Sequence, residues 1–192
     1  MTPQLAINYL WFVWFVTWII GAFWSSRSAK RPTFGAEVLY RVVTLAGAVL
    51  LFAIPIRSYD GPMILWSFGR EANWILFGLA AGGFLFCWWA RITLGRLWSG
   101  WVSKKEGHRI VDNGPYAVVR HPIYTGIILA VFATAAIKGT AFALLGAGIM
   151  TFGFWIKARL EERFLRDELG AASYDAYSRR VPMLVPFGPK AA

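Results

Sequence analysis

A run of 20 residues without a charged side chain, residues 5–24, constrains the fold more than any other feature of the sequence. As an α-helix this run would be about 30 Å long, which matches the hydrocarbon thickness of a bilayer. Backbone polar groups in lipid have no water to bond, so a spanning segment must be a helix or part of a closed barrel. Together with the chain's 57% apolar content, the run predicts an all-α integral membrane protein. No basic residue precedes it, so we expect a retained helix rather than a cleaved signal peptide.

Four further apolar runs extend the prediction to five transmembrane helices. They cover residues 38–55, 72–90, 123–137 and 141–156. The last two are separated by Lys138-Gly139-Thr140 and would form a helical hairpin. The run 123–137 is short for a full crossing, so four spans plus a hairpin is the alternative. Charged residues continue the period of the last helix to Leu169, which predicts a cytosolic C-terminal extension.

The chain is expected to form a single membrane domain over residues 1–192. Residues 1–98 would be an N-terminal three-helix part, and residues 99–192 would hold the core with its cytosolic loop, hairpin and C-terminal segment. In the first part, Gly78 and Gly82 have the spacing with which small residues let two helices approach closely.

The basic residues are distributed unevenly along this topology. The formal net charge is +10, and with the N-terminus outside, all but three of the 20 Lys and Arg residues fall on the cytoplasmic side. The exceptions are Arg57, Arg70 and Lys138. We therefore interpret the charge as a topology signal, and expect contacts with membrane lipids and none with nucleic acid. With two histidines and one cysteine, no His/Cys metal site is expected. The oligomeric state does not follow from the sequence.

The polar residues of the core concentrate in one stretch, residues 114–126. It contains Tyr116, Arg120, His121, Pro122 and Tyr124. Pro122 is suited to the first position of a helix, so Arg120 and His121 would lie beside unpaired backbone N–H groups that favour anions. This stretch is therefore a predicted binding site.

Two more polar clusters are expected to reach the same surface. A hairpin returns its second arm to the depth at which the first began, which brings Glu161 or Glu162 near His121. Adjacent residues of a helix point about 100° apart, so which glutamate faces the site stays open. The third cluster is Arg180 with Val181-Pro182. Two simpler interpretations remain: an ion pair between Glu162 and Arg166 at i, i+4, and Arg120 as an anchor for lipid phosphate.

The order of these motifs resembles the isoprenylcysteine carboxyl methyltransferase family, with its phospholipid N-methyltransferase relatives. The resemblance covers residues 107–187 and rests on Gly-Pro-Tyr, Arg120-His121-Pro122-x-Tyr124, Glu161-Glu162 and Tyr-x2-Tyr-x2-Arg-Val-Pro. It implies a small bacterial-type, S-adenosylmethionine-dependent membrane methyltransferase. It implies further that the protein lies in the bacterial inner membrane, with the active site facing the cytoplasm.

The resemblance also implies roles for individual residues. The cofactor site would contain Tyr116, Arg120, His121, Tyr124, Glu161 and Glu162. Arg120, Glu162 and Arg180 are the predicted catalytic residues, and Arg180 would hold the anionic group of a lipophilic or lipid substrate.

The methyl acceptor is not identified by the sequence. A carboxylate or a thiolate needs no general base, whereas an amine must first lose a proton, for which His121 and the glutamates are the candidates. Two other functions remain open. Sterol reductases resemble the same Arg-His-Pro core but use NADPH, and a non-catalytic membrane subunit would use the charges for topology alone.

Overall fold

A computed structural model of the chain describes residues 1–24, 28–30, 34–53, 64–100, 104–105 and 110–191. Six α-helices follow in order: α1 (Pro3–Ala22), α2 (Phe34–Phe52), α3 (Arg70–Leu94), α4 (Pro122–Lys138), α5 (Ala141–Leu169) and α6 (Ala171–Arg180). Two short strands, β1 (Ser28–Lys30) and β2 (Lys104–Lys105), pair antiparallel. The predicted polar loops at 25–34, 57–71 and 99–119 lie partly outside the described residues.

Local sequence signals set the ends of these helices. The Thr2 hydroxyl accepts a hydrogen bond from the backbone N–H of Leu5, and Pro3 opens α1, as expected of an N-terminal cap. At the hairpin turn, Gly139 has a φ of 65°, a left-handed conformation that glycine adopts without steric cost. Thr140 then caps α5 by accepting from the N–H of Ala143 at 3.2 Å. The predicted hairpin turn is therefore present.

Three helices have the length and composition to cross a membrane. Among the described residues these are α1, α3 with the 3₁₀ turn that follows it, and α5, while α4 is a shorter apolar helix of 17 residues. Large apolar side chains on their outer faces are exposed, including Phe12, Ile20, Leu85 and Phe152. A contiguous apolar exterior of this kind indicates contact with lipid. The helices thus indicate an integral membrane protein.

The helices pack in two close pairs, α3 on α4 and α2 on α5. At the first contact a Cβ added to Gly126 would lie 2.3 Å from the carbonyl oxygen of Gly83. At the second contact a Cβ added to Gly146 would lie 2.7 Å from the carbonyl oxygen of Gly47. The predicted close contact at Gly78 and Gly82 is wrong, because an added Cβ there would meet nothing within 4 Å. The close approach of α3 to α4 occurs instead at Gly83, which points about 100° away from Gly82 on the helix.

The two ends of the bundle have different contacts. At one end the backbone N–H of Leu65 donates to Gly139 at 2.8 Å, and the Lys138 ammonium donates to the carbonyl oxygen of Leu51. At the opposite end the buried guanidinium of Arg91 donates to the carbonyl oxygens of Gly21 and Gly95. This second end is the one that carries residues 114–121, so the charged C-terminal part of α5 lies beside them.

Gly126→Ala should destabilise the protein because the new methyl group would meet backbone at the α3–α4 contact. Overpacking of this kind costs about 1–3 kcal/mol. Gly78→Ala is the matched control, since its methyl group meets open space. Thermal unfolding of the purified variants in detergent measures the difference. Equal unfolding temperatures for the two variants would contradict the packing described here.

Candidate functional site

The predicted binding stretch is held between two helices and the C-terminal segment. Residues 114–117 form a 3₁₀ turn that buries Tyr116, and His121 occupies the N-cap position of α4 with Pro122 as its first residue. The backbone N–H groups of Arg120 and His121 donate to the carbonyl oxygens of Pro182 and Met183, at 2.8 and 3.1 Å. These two hydrogen bonds hold residues 120 and 121 in place against the C-terminal segment.

Arg120 is the centre of a buried hydrogen-bond network. It is 7% exposed, and its Nε donates to Oε1 of Glu162 at 2.6 Å. One terminal nitrogen donates to the carbonyl oxygens of Ser178 and Val181. A charge-assisted pair at this distance is strong when water is excluded. Arg120 therefore ties α4, α5 and the end of α6 together.

His121 lies between the two glutamates. Its Nε2 is 3.3 Å from Oε1 of Glu162, and its Nδ1 is 3.5 Å from Oε2 of Glu161. Burial lowers the pKa of His121, but the hydrogen bonds and charges of Glu161 and Glu162 outweigh this effect, so the pKa is raised above 6.5. The imidazole ring also stacks on Tyr124, with the two ring planes 8° apart. His121 is thus held in one orientation, and the two glutamates favour its protonated form.

The two glutamates have different surroundings. Glu161 lines a cavity, and its Oε1 accepts from the Tyr124 hydroxyl at 2.8 Å. Glu162 is not among the lining residues and stands behind them, bonded to Arg120 and His121. The sequence left open which glutamate faces the site. In the structure Glu161 faces the cavity, and Glu162 orients Arg120 and His121, which line the cavity.

The C-terminal segment reaches the site through its backbone and not through the side chain of Arg180. The carbonyl oxygens of residues 181–184 bond Arg120, His121 and Thr125, so the predicted meeting of this segment with the site is present. Arg180 itself does not line the cavity. Its guanidinium is 66% exposed and donates to Asp112 at 3.1 Å. The catalytic role predicted for Arg180 stays a prediction, and the structure places its guanidinium at the surface, outside the cavity.

Both simpler interpretations of the charges are wrong. Arg166 forms a bidentate pair with Asp175, at 2.7 and 2.8 Å, and not with Glu162. Arg120 is buried in the network described above, so it is not an anchor for lipid phosphate at the surface. The charges that the motif contributes are directed inward.

These residues form one wall of a cavity of about 380 Å³, within the size range of small-ligand sites. The rest of the lining is mostly apolar and aromatic. Burial first, and Glu161 second, raise the pKa of the Tyr116 phenol, which therefore keeps its proton. The described residues that line the cavity are Trp18, Leu94, Leu97, Trp98, Ser99, Gly100, Ile110, Val111, Tyr116, Arg120, His121, Pro122, Ile123, Tyr124, Ile127, Phe154, Lys157, Glu161, Phe164, Leu165, Leu169, Tyr174 and Tyr177.

Most of the lining residues were not predicted from the sequence, and Trp18, Trp98 and Lys157 are three of them. Trp18 and Trp98 come from the N-terminal part, and the guanidinium of Arg91 holds the Trp98 ring at 4.5 Å from its centroid. Lys157 comes from α5. It lies four residues before Glu161 and so on the same helix face, a spacing that could have drawn attention to it. Within the described residues, no cluster of three or more His, Cys, Asp or Glu side chains is arranged to hold a metal ion.

Comparison with known proteins relates the chain to a group of methyltransferases. Residues 75–167 match the isoprenylcysteine carboxyl methyltransferase (ICMT) family. The chain is 48% identical over 71 residues to methanethiol S-methyltransferase 2 of Bradyrhizobium diazoefficiens, covering 37% of this chain and 26% of that protein. It is 29% identical over 101 residues to protein-S-isoprenylcysteine O-methyltransferase B of Arabidopsis thaliana, covering 51% of each. The chain spans about a quarter and about half of the length of these curated relatives.

A third relative has a name of another kind. The chain is 30% identical over 104 residues to the cobalt-zinc-cadmium resistance protein CzcN of Cupriavidus metallidurans, covering 49% of this chain and 44% of that protein.

The stability of the protein should depend on pH through His121. The glutamates stabilise its protonated form, so this contribution is complete below about pH 6.5, the pKa in an unfolded chain. It is lost as the pH rises through the raised pKa of the folded protein. Each unit of pKa difference corresponds to about 1.4 kcal/mol, or roughly 3–6 °C in unfolding temperature.

Thermal unfolding in detergent at a series of pH values tests this prediction. His121→Gln should flatten the alkaline decline. His108→Gln, which changes the other of the two histidines, should leave the decline unchanged. A decline that survives His121→Gln must arise from another group.

Proposed function

We propose that this chain, which belongs to the isoprenylcysteine carboxyl methyltransferase family through residues 75–167, transfers a methyl group from S-adenosylmethionine to a lipophilic acceptor at the membrane. One observation carries the proposal. A cavity of about 380 Å³ has a charged network at one wall and aromatic or aliphatic side chains over the remainder. A zwitterionic cofactor and an apolar acceptor both find matching surfaces in such a cavity.

The donor set fits the chemistry of the cofactor. When bound, S-adenosylmethionine supplies a methyl group activated by a positively charged sulfur. Arg120 and His121 offer N–H groups and positive charge to a carboxylate, and Glu161 offers negative charge to an ammonium or sulfonium group. The rings of Tyr116, Tyr124 and Trp98 provide π faces, which attract both cations and flat aromatic bases.

The remaining task of the protein is alignment. Methyl transfer to an anionic acceptor requires no proton removal by the enzyme, so the rate depends on holding two reactants in line and excluding water. Glu162 and the carbonyl oxygens of residues 178–184 act indirectly, because they fix the orientation of Arg120 and His121. The acceptor is either an isoprenylcysteine-like carboxylate or a lipid amine or thiol. The names of the relatives support a thiol or a carboxylate.

The proposal includes a topology of five spans in one membrane domain. The N-terminus lies outside, and the active site faces the cytoplasm of a bacterial inner membrane. Three observations support it: the distribution of Lys and Arg, the three long apolar helices, and the contribution of Trp18 in α1 to the cavity wall. The alternative, in which α4 and α5 form a shallow hairpin, places the same residues at the same face.

Single cysteines introduced into a Cys87→Ala background should test the side assignment that both arrangements share. An impermeant maleimide added to intact cells should label Gly61→Cys, on the predicted outer side. It should label Lys190→Cys only after the cells are opened. Labelling of both before lysis would contradict the predicted five-span topology.

Transfer of a labelled methyl group from S-adenosylmethionine to extracted lipids or thiols, by purified protein, tests the function itself. We expect the protein to bind this cofactor in calorimetry and to show no comparable binding of NADPH. Binding of NADPH alone would favour the reductase. Binding of neither would favour a non-catalytic subunit and would overturn the proposal.

Variants of the network test the cofactor site. Glu162→Ala and Arg120→Ala each leave a buried charge unpaired, which costs about 3–5 kcal/mol, so cofactor affinity should be lost if the protein still folds. Glu161→Gln keeps the shape of the side chain and should lower affinity by about tenfold, the effect of losing roughly 1.4 kcal/mol. Asp167→Asn changes an exposed carboxylate on the same helix and is the matched control. Unchanged affinity in all three site variants would overturn the site assignment.

A further inference from the structure

Lys157 is a charged cavity residue that lies outside the hydrogen-bond network of Arg120, His121, Glu161 and Glu162. Its ammonium donates to the carbonyl oxygen of Gly100 at 3.0 Å. It also lies 5.2 Å from the ring centroid of Tyr124 and 5.5 Å from that of Tyr40. An ammonium has three N–H donors, and within the described residues one of them is accounted for by a hydrogen bond. Both aromatic rings lie within cation–π distance of the ammonium.

Lys157 stands outside the ion pairs at the cavity wall. Arg120 and His121 contact Glu161 and Glu162, with all four joined by contacts of 2.6–3.5 Å. Both oxygens of Glu161 are engaged, by Tyr124 and His121, and Glu161 attracts Lys157 across one helical turn. On the facing helix α2, Glu37 pairs with Arg41. Among the described residues, no carboxylate is in salt-bridge contact with the Lys157 ammonium.

Lys157 also lies deeper along the helix axis than the network. It is four residues before Glu161, which corresponds to about 6 Å along α5. Lys157 follows Ala141 by 16 residues, and Pro122 precedes Lys138 by 16 residues, so Lys157 is level with the start of α4. Phe154 and Ile127 line the cavity beyond it. The ammonium thus stands where the polar part of the cavity meets its apolar part.

We propose that Lys157 binds the reacting group of the methyl acceptor, and that this group is an anion, a thiolate or a carboxylate, carried on an apolar body. The inference rests on the proposed function and identifies its substrate class. The ammonium attracts the anion, and the apolar wall beyond it takes the body of the same molecule. A protonated amine would meet repulsion from the same ammonium.

The reaction balances without a further reactant. The acceptor has lost its proton to solvent before transfer. Its anionic sulfur or oxygen donates an electron pair to the methyl carbon, and the bond between that carbon and the donor sulfur breaks with its electrons remaining on the donor sulfur. The products are a methyl thioether or methyl ester and a neutral donor thioether. An opposite charge within about 4–6 Å lowers a pKa by about 1–3 units, so Lys157 also favours the reactive form of a thiol.

A binding experiment tests the anion site without any methyl donor. Hexanoate, hexanol and hexylamine share one apolar body, and quenching of tryptophan fluorescence reports their binding because Trp18 and Trp98 line the cavity. Hexanoate should bind about tenfold more tightly than hexanol to the wild-type protein and to Lys157→Arg. In Lys157→Met the two affinities should be equal. Arg159→Met, at an exposed position of the same helix, should behave as wild type. Absence of an anion preference, including absence of any binding, overturns the inference, as does preferred binding of hexylamine.

Transfer from S-adenosylmethionine to hexanethiol gives a second measurement. In Lys157→Met the rise of kcat/KM with pH should move about one to two units to higher pH. Lys157→Arg should keep the wild-type profile. The other groups facing Lys157 are unchanged in these variants, namely Glu37, Tyr40 and Arg41 on α2, Tyr124 on α4 and Glu161 on α5. A profile that does not move in Lys157→Met contradicts the inference.

The two proposals fail in different ways. If the wild-type protein neither binds nor consumes S-adenosylmethionine, the proposed function fails, whatever hexanoate does. If Lys157→Met loses affinity for S-adenosylmethionine itself, the lysine holds the cofactor, and the acceptor assignment is wrong while the methyltransferase stands. The result expected is a variant that binds the cofactor as tightly as wild type but has lost its preference for the anion.

Discussion

The structure depends on one buried contact, the ion pair between Arg120 and Glu162. An unpaired charge is costly in an interior of low dielectric constant. The segments that carry the hydrogen-bond partners of these two side chains must therefore be in place together. The pair requires the start of α4, the charged C-terminal part of α5 and the carbonyl oxygens of Ser178 and Val181. Sequence positions about 40 and 60 residues apart are therefore brought to one point. The contacts that hold the core together are therefore also the contacts that form the site.

The close helix contacts explain how that meeting is possible. Gly83 against Gly126, and Gly47 against Gly146, let backbones touch, which is the main source of helix association where lipid tails are as apolar as the side chains. Since α4 is held on α3 and α5 on α2, the two arms of the hairpin do not depend on each other alone. The turn at Gly139 then sets their relative height, so residues 161 and 162 arrive beside residues 120 and 121.

Much of this could be predicted from the sequence, and the failures have a common cause. Apolar runs and the Pro, Gly and Thr signals at helix ends are local, so the helices and the hairpin turn followed from them. The motif order predicted which clusters meet. The direction of a side chain is not local: neighbouring helix residues differ by 100°, and only the position of the partner helix selects between them. That is why Gly83, Glu161 and Lys157 had to be found in the structure.

Two kinds of charged group lie at the cavity: the ion-paired network around Arg120, and the ammonium of Lys157 outside it. A fully paired buried network adds little to stability compared with an apolar core, so its value lies in fixing the orientation of Arg120, His121 and Tyr124. Ion pairing favours the charged form of both carboxylates and so makes them weaker bases. A site built in this way is suited to acceptors that arrive as anions. The cation that could hold such an acceptor must stand outside the network, as Lys157 does, one helical turn toward the apolar end.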